Sequence, residues 1–248
     1  VGNGNIVGKV AIVTGASGGI GRGIAERLAK DGIAVVVNYA GNADRAAEVV
    51  RTIEANGGRA VASQADVGKS DEVGRLFDDA ERQFGPVDIL VNNAGRAIRK
   101  PLAEFTDDEF RLVFETNLGG AFFAMREAAR RLRNGGRIVN ISASFQGAPI
   151  PGYAVYAASK MAIEQMTAVL AKELGHRGIT VNAIRPGPTD TDLFRHGKSE
   201  DVVKQFASQA ALGRIGEPAD IARVVAFLVS EEAGWITGQA FGVNGGYW

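Results

Sequence analysis

Short β-branched runs alternate with longer segments of helical period along the whole chain, and that alternation leaves few folds open. Val10-Ala11-Ile12-Val13 precedes a helical pattern through Ile24, Leu28 and Ala29. Val35-Val36-Val37 precedes one around Ala46 to Ile53, and Ala60-Val61-Ala62 one near Val73 to Phe84. Ile89-Leu90-Val91, Ile138-Val139-Asn140-Ile141 and the run Ile179 to Ile184 continue the pattern. A last helix starts near Pro218, a good first-turn residue, before a short strand at Phe241-Gly242-Val243. Apolar strands that alternate with helices require a parallel sheet covered on both faces. The expectation is an α/β fold: a doubly wound parallel sheet of about seven strands with helices on both faces, in a single domain over residues 1–248. A chain of 248 residues is long enough to bury the core this needs.

The conspicuous polar and glycine motifs directly follow strands. Thr14-Gly15 follows the first, Asp66 the third, and Asn92-Asn93-Ala94-Gly95 the fourth. Ser142 and Ser144 follow the fifth, and Pro186-Gly187 the sixth. In open parallel sheets ligands bind at the carboxyl ends of strands, so these loops converge on one edge. The first is the richest: Thr14-Gly15-Ala16-Ser17-Gly18-Gly19-Ile20-Gly21. Gly15, Gly19 and Gly21 leave room for a pyrophosphate to approach backbone N–H groups at a helix N-terminus. The spacing is Gly-x-x-x-Gly-x-Gly rather than the usual dinucleotide fingerprint; the plainer alternative is a tight turn.

Tyr156 and Lys160 lie four residues apart, which stacks them on one helix face. A nearby ammonium stabilises a phenolate, so the pair is expected to lower the Tyr156 pKa from its usual value of about 10. Downstream of a nucleotide loop, it points to carbonyl/alcohol redox chemistry. A helix is expected over about 107–132, opened by the capping box Thr106-x-x-Glu109. Its apolar stripe reads Phe110, Val113, Phe114, Leu118, Ala121, Phe122, Met125, with Asn117 among them. A buried amide needs partners, either neighbouring backbone or a water placed beside the Tyr156/Lys160 pair.

Composition excludes several classes. There is no Cys, so disulfides, thiolate nucleophiles and Cys-based metal sites are absent. The two His residues, His176 and His196, have no ligand spacing, and no metal is expected. His176 suits a helix end; the role of His196 stays open. Formal net charge is zero, which argues against nucleic acid or an anionic membrane as main partner. No apolar run reaches the roughly 20 residues of a membrane span. The segment Val1 to Val7 lacks signal-peptide features, so a cytoplasmic protein is expected.

Taken together, TGASGGIG, NNAG at 92–95, Asn117, YAASK at 156–160 and PGPTDT at 186–191 resemble the short-chain dehydrogenase/reductase family, in its short single-domain branch. The resemblance runs from about Lys9 to Gly246. It implies a Rossmann-type fold, an NAD(P) cofactor, a small-molecule carbonyl or alcohol substrate and a homotetramer. It implies Tyr156 as acid/base, Lys160 on the nicotinamide ribose, a serine on the substrate oxygen and Asn117 anchoring a relay water. The family often has its serine thirteen residues before the tyrosine, which here is Ala143. The family's Ser-x-x-Gly pattern fits Ser144-Phe145-Gln146-Gly147, so Ser144 is preferred to Ser142.

For the cofactor, the resemblance implies contacts from Gly15, Ser17, Gly19, Ile20, Gly21, Asn38, Tyr39, Asp66, Val67, Asn92, Ala94, Gly95, Pro186, Gly187, Thr189 and Thr191, beside Tyr156 and Lys160. An acid at the end of the second strand would bond a ribose 2′-hydroxyl and repel a 2′-phosphate. Val37-Asn38-Tyr39-Ala40-Gly41-Asn42 has none before Asp44, and resembles NADP-dependent relatives. Gly18 stands where many of those carry Arg, and Arg22 is a candidate to supply the charge instead. NADP(H) is favoured, with NAD(H) the alternative. Residues 188–214 are expected to cover the substrate as a lid. Phe145, Gln146, Tyr153, Arg96, Leu193 and Phe194 are pocket candidates, and Tyr247-Trp248 is expected either to pack on a neighbouring subunit or to close the chain's own site. The leading reading is an NADPH-dependent carbonyl reductase acting on a moderately hydrophobic ketone. The alternatives are an NAD-linked alcohol or sugar-alcohol dehydrogenase, a non-catalytic nucleotide-binding protein, and an extended-branch epimerase or dehydratase.

Overall fold

The computed structural model describes residues 6–145 and 149–247. Its seven strands are β1 (Val10–Val13), β2 (Ala34–Tyr39), β3 (Arg59–Gln64), β4 (Ile89–Asn92), β5 (Arg137–Ile141), β6 (Thr180–Pro186) and β7 (Ala240–Val243). All pair in parallel, in the order β3-β2-β1-β4-β5-β6-β7. The doubly wound sheet read from the alternation is the sheet observed. Its strand order reverses between β1 and β4, which opens a crevice at their carboxyl ends.

The helices are α1 (Gly19–Lys30), α2 (Ala43–Ala55), α3 (Ser70–Phe84), α4 (Asp107–Phe114), α5 (Gly120–Arg131), α6 (Ala154–Leu174), α7 (Asp192–Arg195), α8 (Glu200–Gln209) and α9 (Pro218–Val229). Strand side chains alternate faces, so each strand feeds two cores. Ala11 and Val13 of β1, with Val35 and Val37 of β2, join Ile24, Leu28, Val49, Ile221 and Val225 on one side. Val10, Ile12 and Val36 join Val73, Leu76, Phe77, Ala124 and Ile163 on the other. Each fully buried Leu, Ile or Phe contributes about 1.5–3 kcal/mol. No helix among the described residues is long and apolar enough to cross a membrane.

The helix expected over 107–132 is present but not uniform. Thr106 makes the capping box with Glu109, and α4 then passes into a π-helical turn, Glu115–Gly119, before α5 continues. A π turn adds a residue to one turn and so rotates the faces of the next helix. The apolar stripe is corrected: Val113, Ala121 and Met125 are buried, while Phe110, before the π turn, and Phe122, after it, are exposed. Asn117 sits in the π turn and is buried.

Candidate active site

The loop after β1 is shaped by three polar side chains. Thr14 Oγ1 accepts the backbone N–H groups of Asn93 and Ala94, each at 3.0 Å. Asn93 Nδ2 returns to the carbonyls of Thr14 (2.9 Å) and Gly15 (3.1 Å). Asn38 Oδ1 accepts Gly15 N–H at 3.1 Å, and its Nδ2 donates to Ala65 O at 3.0 Å. The tips of β1, β2, β3 and β4 are thereby fixed to one another. Gly15 adopts φ +62°, and a Cβ there would lie 2.9 Å from Ala94 Cα, so both conformation and space require glycine.

The loop delivers the chain to α1, whose start is bare. Its N-cap, Gly18, offers no side-chain bond, and its first turn holds no acid. By contrast Asn42, Thr106 and Ser199 cap α2, α4 and α8. Unpaired N–H groups and the positive end of the helix dipole at α1 suit a phosphate. The cleft that begins here has a volume of about 620 Å³ and runs along the strand tips to the far side of β5. A nucleotide-sized cofactor fits this arrangement.

Helix α6 brings Tyr156 and Lys160 to the cleft. Tyr156 and Lys160 are one turn apart, with Lys160 Nζ 5.9 Å from the Tyr156 ring centre. Nζ donates to Ile141 O at 2.8 Å, at the end of β5. A Cβ on Gly95 would lie 3.2 Å from Nζ, so glycine there makes room for the ammonium. Burial pushes Lys160 down to about 8. Tyr156 keeps part of its surface open to the cleft, yet dense surrounding protein desolvates the phenolate. That burial, helped by Tyr153, pushes its pKa up to about 12. The expectation of an acidified phenol is therefore corrected: desolvation raises the Tyr156 pKa and holds the phenol neutral.

The two serines face different partners. Ser142 is buried, with Oγ 2.6 Å from Glu164 Oε1 and 3.2 Å from Lys160 O. Arg185 holds the same carboxylate at 2.9 and 2.7 Å. Ser144 Oγ donates to Arg185 O (2.9 Å) and accepts from Asn244 Nδ2 (3.1 Å). Both line the cleft. Asn117 lies behind it. Its Oδ1 accepts Arg96 N–H at 2.7 Å, and its Nδ2 donates to Arg96 O (3.0 Å) and Ser159 Oγ (2.9 Å). The amide thus clamps the loop after β4, one of its two expected roles.

Comparison with known proteins decides the family. A family model described as enoyl-(acyl carrier protein) reductase matches residues 15–248. A short-chain type dehydrogenase/reductase of Picea abies is 46% identical over 96% of this chain and 92% of its own. The versicolorin reductase stcU of Emericella nidulans is 45% identical over 96% and 95%. Among solved structures, the angucycline C-6 ketoreductase LanV with bound NADP superposes with a TM-score of 0.92 at 40% identity, over 98% of this chain and 97% of that one. The chain belongs to the short-chain dehydrogenase/reductase family.

As a short-chain dehydrogenase/reductase it is an NAD(P)-dependent oxidoreductase acting on CH–OH or C=O groups. Of the residues expected at the cofactor, Gly15, Ser17, Gly19, Ile20, Asn38, Asp66, Val67, Ala94, Gly95, Pro186, Gly187, Thr189 and Thr191 line the cleft. Three do not. Tyr39 packs against the apolar core beneath α1 and α2. Asn92 turns its amide to Asn140 Oδ1 at 2.8 Å. Gly21 sits behind the loop, where a Cβ would strike Gly15 O and Asn93 Nδ2; it permits the turn from inside. Asp66 also caps its own turn, accepting Gly68 N–H at 3.0 Å. Arg22 is drawn off by Glu26 and Glu48, both at 2.7 Å, and does not line the cleft.

At the substrate end, Arg96, Phe145, Tyr153, Leu193 and Phe194 line the cleft as expected. Gln146, Gly147 and Trp248 lie outside the described residues. Tyr247 is buried, stacks on Phe206 and lines the cleft, so this part of the C-terminal pair closes the chain's own site. Arg45, Asn93, Thr116 and Lys198 also line or shape the cleft, and sequence reasoning misses them. For Asn93 a signal exists: an Asn just past a strand is a turn-builder. Arg45 and Lys198 come from helix and lid positions that no strand-end rule selects. His176, at the end of α6, has Nδ1 2.9 Å from Glu173 O and stays apart from the cleft, in the structural role expected of it.

Proposed function

We propose that this enzyme reduces a ketone with NADPH. The observation that carries the reading is that Ser144, Tyr156 and Lys160 line one end of the cleft whose other end is the bare N-terminus of α1. The bound cofactor supplies the hydride. Tyr156, neutral at physiological pH, donates its phenolic proton to the carbonyl oxygen as negative charge develops there. The Ser144 hydroxyl bonds the same oxygen and stabilises it before and during transfer. Lys160, cationic below about pH 8, offsets the charge left on the phenolate and holds ribose hydroxyls. Asn117 fixes the Arg96 backbone beside this group and anchors a water of the proton relay.

The substrate end is walled by Phe145, Ile150, Tyr153, Leu193 and Phe194, with Arg96 and Lys198 beside them. That lining favours a ketone with an apolar or aromatic body and an electron-rich or anionic edge. Residues 188–214 act as its lid. A cytoplasmic homotetramer belongs to the same reading. Exposed Phe122, Val169, Phe227 and Trp235 supply apolar surface for such an assembly.

Initial rates of NADPH and NADH oxidation against ketones, diketones, quinones and ketoacyl thioesters test the proposal. NADPH-dependent turnover that Tyr156→Phe removes supports it. Turnover only as alcohol oxidation with NAD would replace it with the dehydrogenase reading.

A further inference from the structure

Gly18, the N-cap of α1, has no side chain, yet the space that one would take is filled. A Cβ on Gly18 would lie 2.9 Å from Arg45 Nη2, 3.4 Å from its Cζ and 3.8 Å from its Nε. The guanidinium thus lies against the glycine loop from the opposite wall, and it lines the cleft there. Its backbone is fixed, because Arg45 N–H donates to the α2 cap Asn42 Oδ1 at 3.0 Å. The partner of its charge is Asp192 Oδ2 at 2.7 Å, a carboxylate 81% exposed. An exposed pair of this kind contributes little and is easily exchanged for a stronger anion. The other cation nearby, Arg22, is held by two carboxylates. The end of β2 places no acid against the same space, since Asn38 spends its amide on Gly15 N–H and Ala65 O.

We infer that Arg45, lying beside Gly18, is the residue that selects a 2′-phosphorylated adenosine. A guanidinium offers five donors in a planar fork, so one N–H can stay on Asp192 while others take phosphate oxygens. This rests on the NADPH reading above but assigns the selecting cation to a residue outside both the glycine loop and the strand end. It also links the adenosine end of the cleft to α7, the first helix of the lid, through Asp192.

The test is calorimetric titration of the full chain with NADPH, NADH, adenosine 2′,5′-bisphosphate and AMP. Arg45→Gln is expected to weaken NADPH and the bisphosphate about 10- to 100-fold, with NADH and AMP changed less than about twofold. Arg45 is half exposed and forms no part of either core, so the variant folds. Adding Gly18→Arg to Arg45→Gln puts a guanidinium back into the same space and is expected to restore the NADPH preference. An unchanged NADPH:NADH ratio in Arg45→Gln, with wild type preferring NADPH, overturns the assignment of Arg45 alone. A wild type with no preference for NADPH overturns the cofactor reading itself.

Discussion

The floor of the cleft and the segment over it, residues 188–214, differ in what holds them. The floor is tied by side-chain bonds between strand tips far apart in sequence, as the buried Thr14 is to Asn93 and Ala94. The covering segment is anchored at its base by two backbone bonds, Asp190 N–H to Gly216 O and Gly216 N–H to Pro188 O, both 2.8 Å. Beyond that base it has one backbone bond, Leu212 N–H to Gly245 O at 3.1 Å, ion pairs of Arg195 with Asp190 and Glu200 and of Asp192 with Arg45, caps from Thr191 and Ser199, and the ring contacts of Phe206 with Phe194 and Tyr247. Leu193 and Leu212 are left more than half exposed. A buried polar network loses much when one member goes, whereas exposed ion pairs lose little. On the proposed reading the floor keeps a fixed geometry and the cover opens about its base.

The largest effect is expected on the floor, at the reacting atoms. Tyr156→Phe removes the proton donor and is expected to lower kcat about a thousandfold. NADPH affinity, measured by titration, changes little. Loss of cofactor binding instead would make Tyr156 a structural post.

Next comes the pair of serines. Ser144→Ala is expected to lower kcat about a hundredfold, as loss of one donor to a developing oxyanion does. Ser142→Ala instead removes a bond to the buried Glu164 carboxylate, at about 1–3 kcal/mol of stability. Its kcat falls less than tenfold. The reverse ranking in kinetics would move the catalytic role to Ser142.

Lys160 sharpens the comparison through pH. With Tyr156 held protonated to about 12, reduction is expected to stay flat and then fall as Lys160 loses its proton above about pH 8. Stability follows the opposite course. Because the folded pKa lies below the unfolded value, the folded state holds fewer protons between about 8 and 10.5. The penalty for burying the charge is full below about pH 8, at roughly 3 kcal/mol, and fades as pH rises toward 10.5. Urea titrations between pH 7 and 10 are expected to show wild type gaining on Lys160→Met as pH rises. A constant difference would mean that the ammonium is solvated after all.

The same contrast between floor and cover explains which features are legible in the sequence. Glycines at 15, 19 and 21 and the Tyr156/Lys160 spacing are local facts, fixed by backbone geometry or helix period, and they can be read one residue at a time. The Tyr156 pKa is misjudged from sequence because a neighbour at helical spacing is visible there while desolvation by the fold is not. The π turn at 115–119 escapes notice because a stripe read as one continuous helix assumes a single phase on both sides of it. Asn92 is mistaken for Asn93 because adjacent identical residues at a strand end differ only in which face each points to. Arg45 reaches Gly18 from another helix, a tertiary contact across the cleft that no spacing rule encodes.

The smallest effects are expected in the cover, and they are the sharpest test of the contrast. Thr14→Val in the floor strands two backbone donors and is expected to lower stability by about 3 kcal/mol and weaken NADPH binding. Arg195→Ala in the cover removes its ion pairs to Asp190 and Glu200, yet is expected to leave the melting midpoint within error. Its trace should appear in KM and in protease sensitivity near residues 190–200, because the pairs order the segment rather than hold the fold. A melting loss for Arg195→Ala as large as that for Thr14→Val would make the cover part of the folded core, and residues 188–214 could then not serve as a lid that opens independently of the sheet.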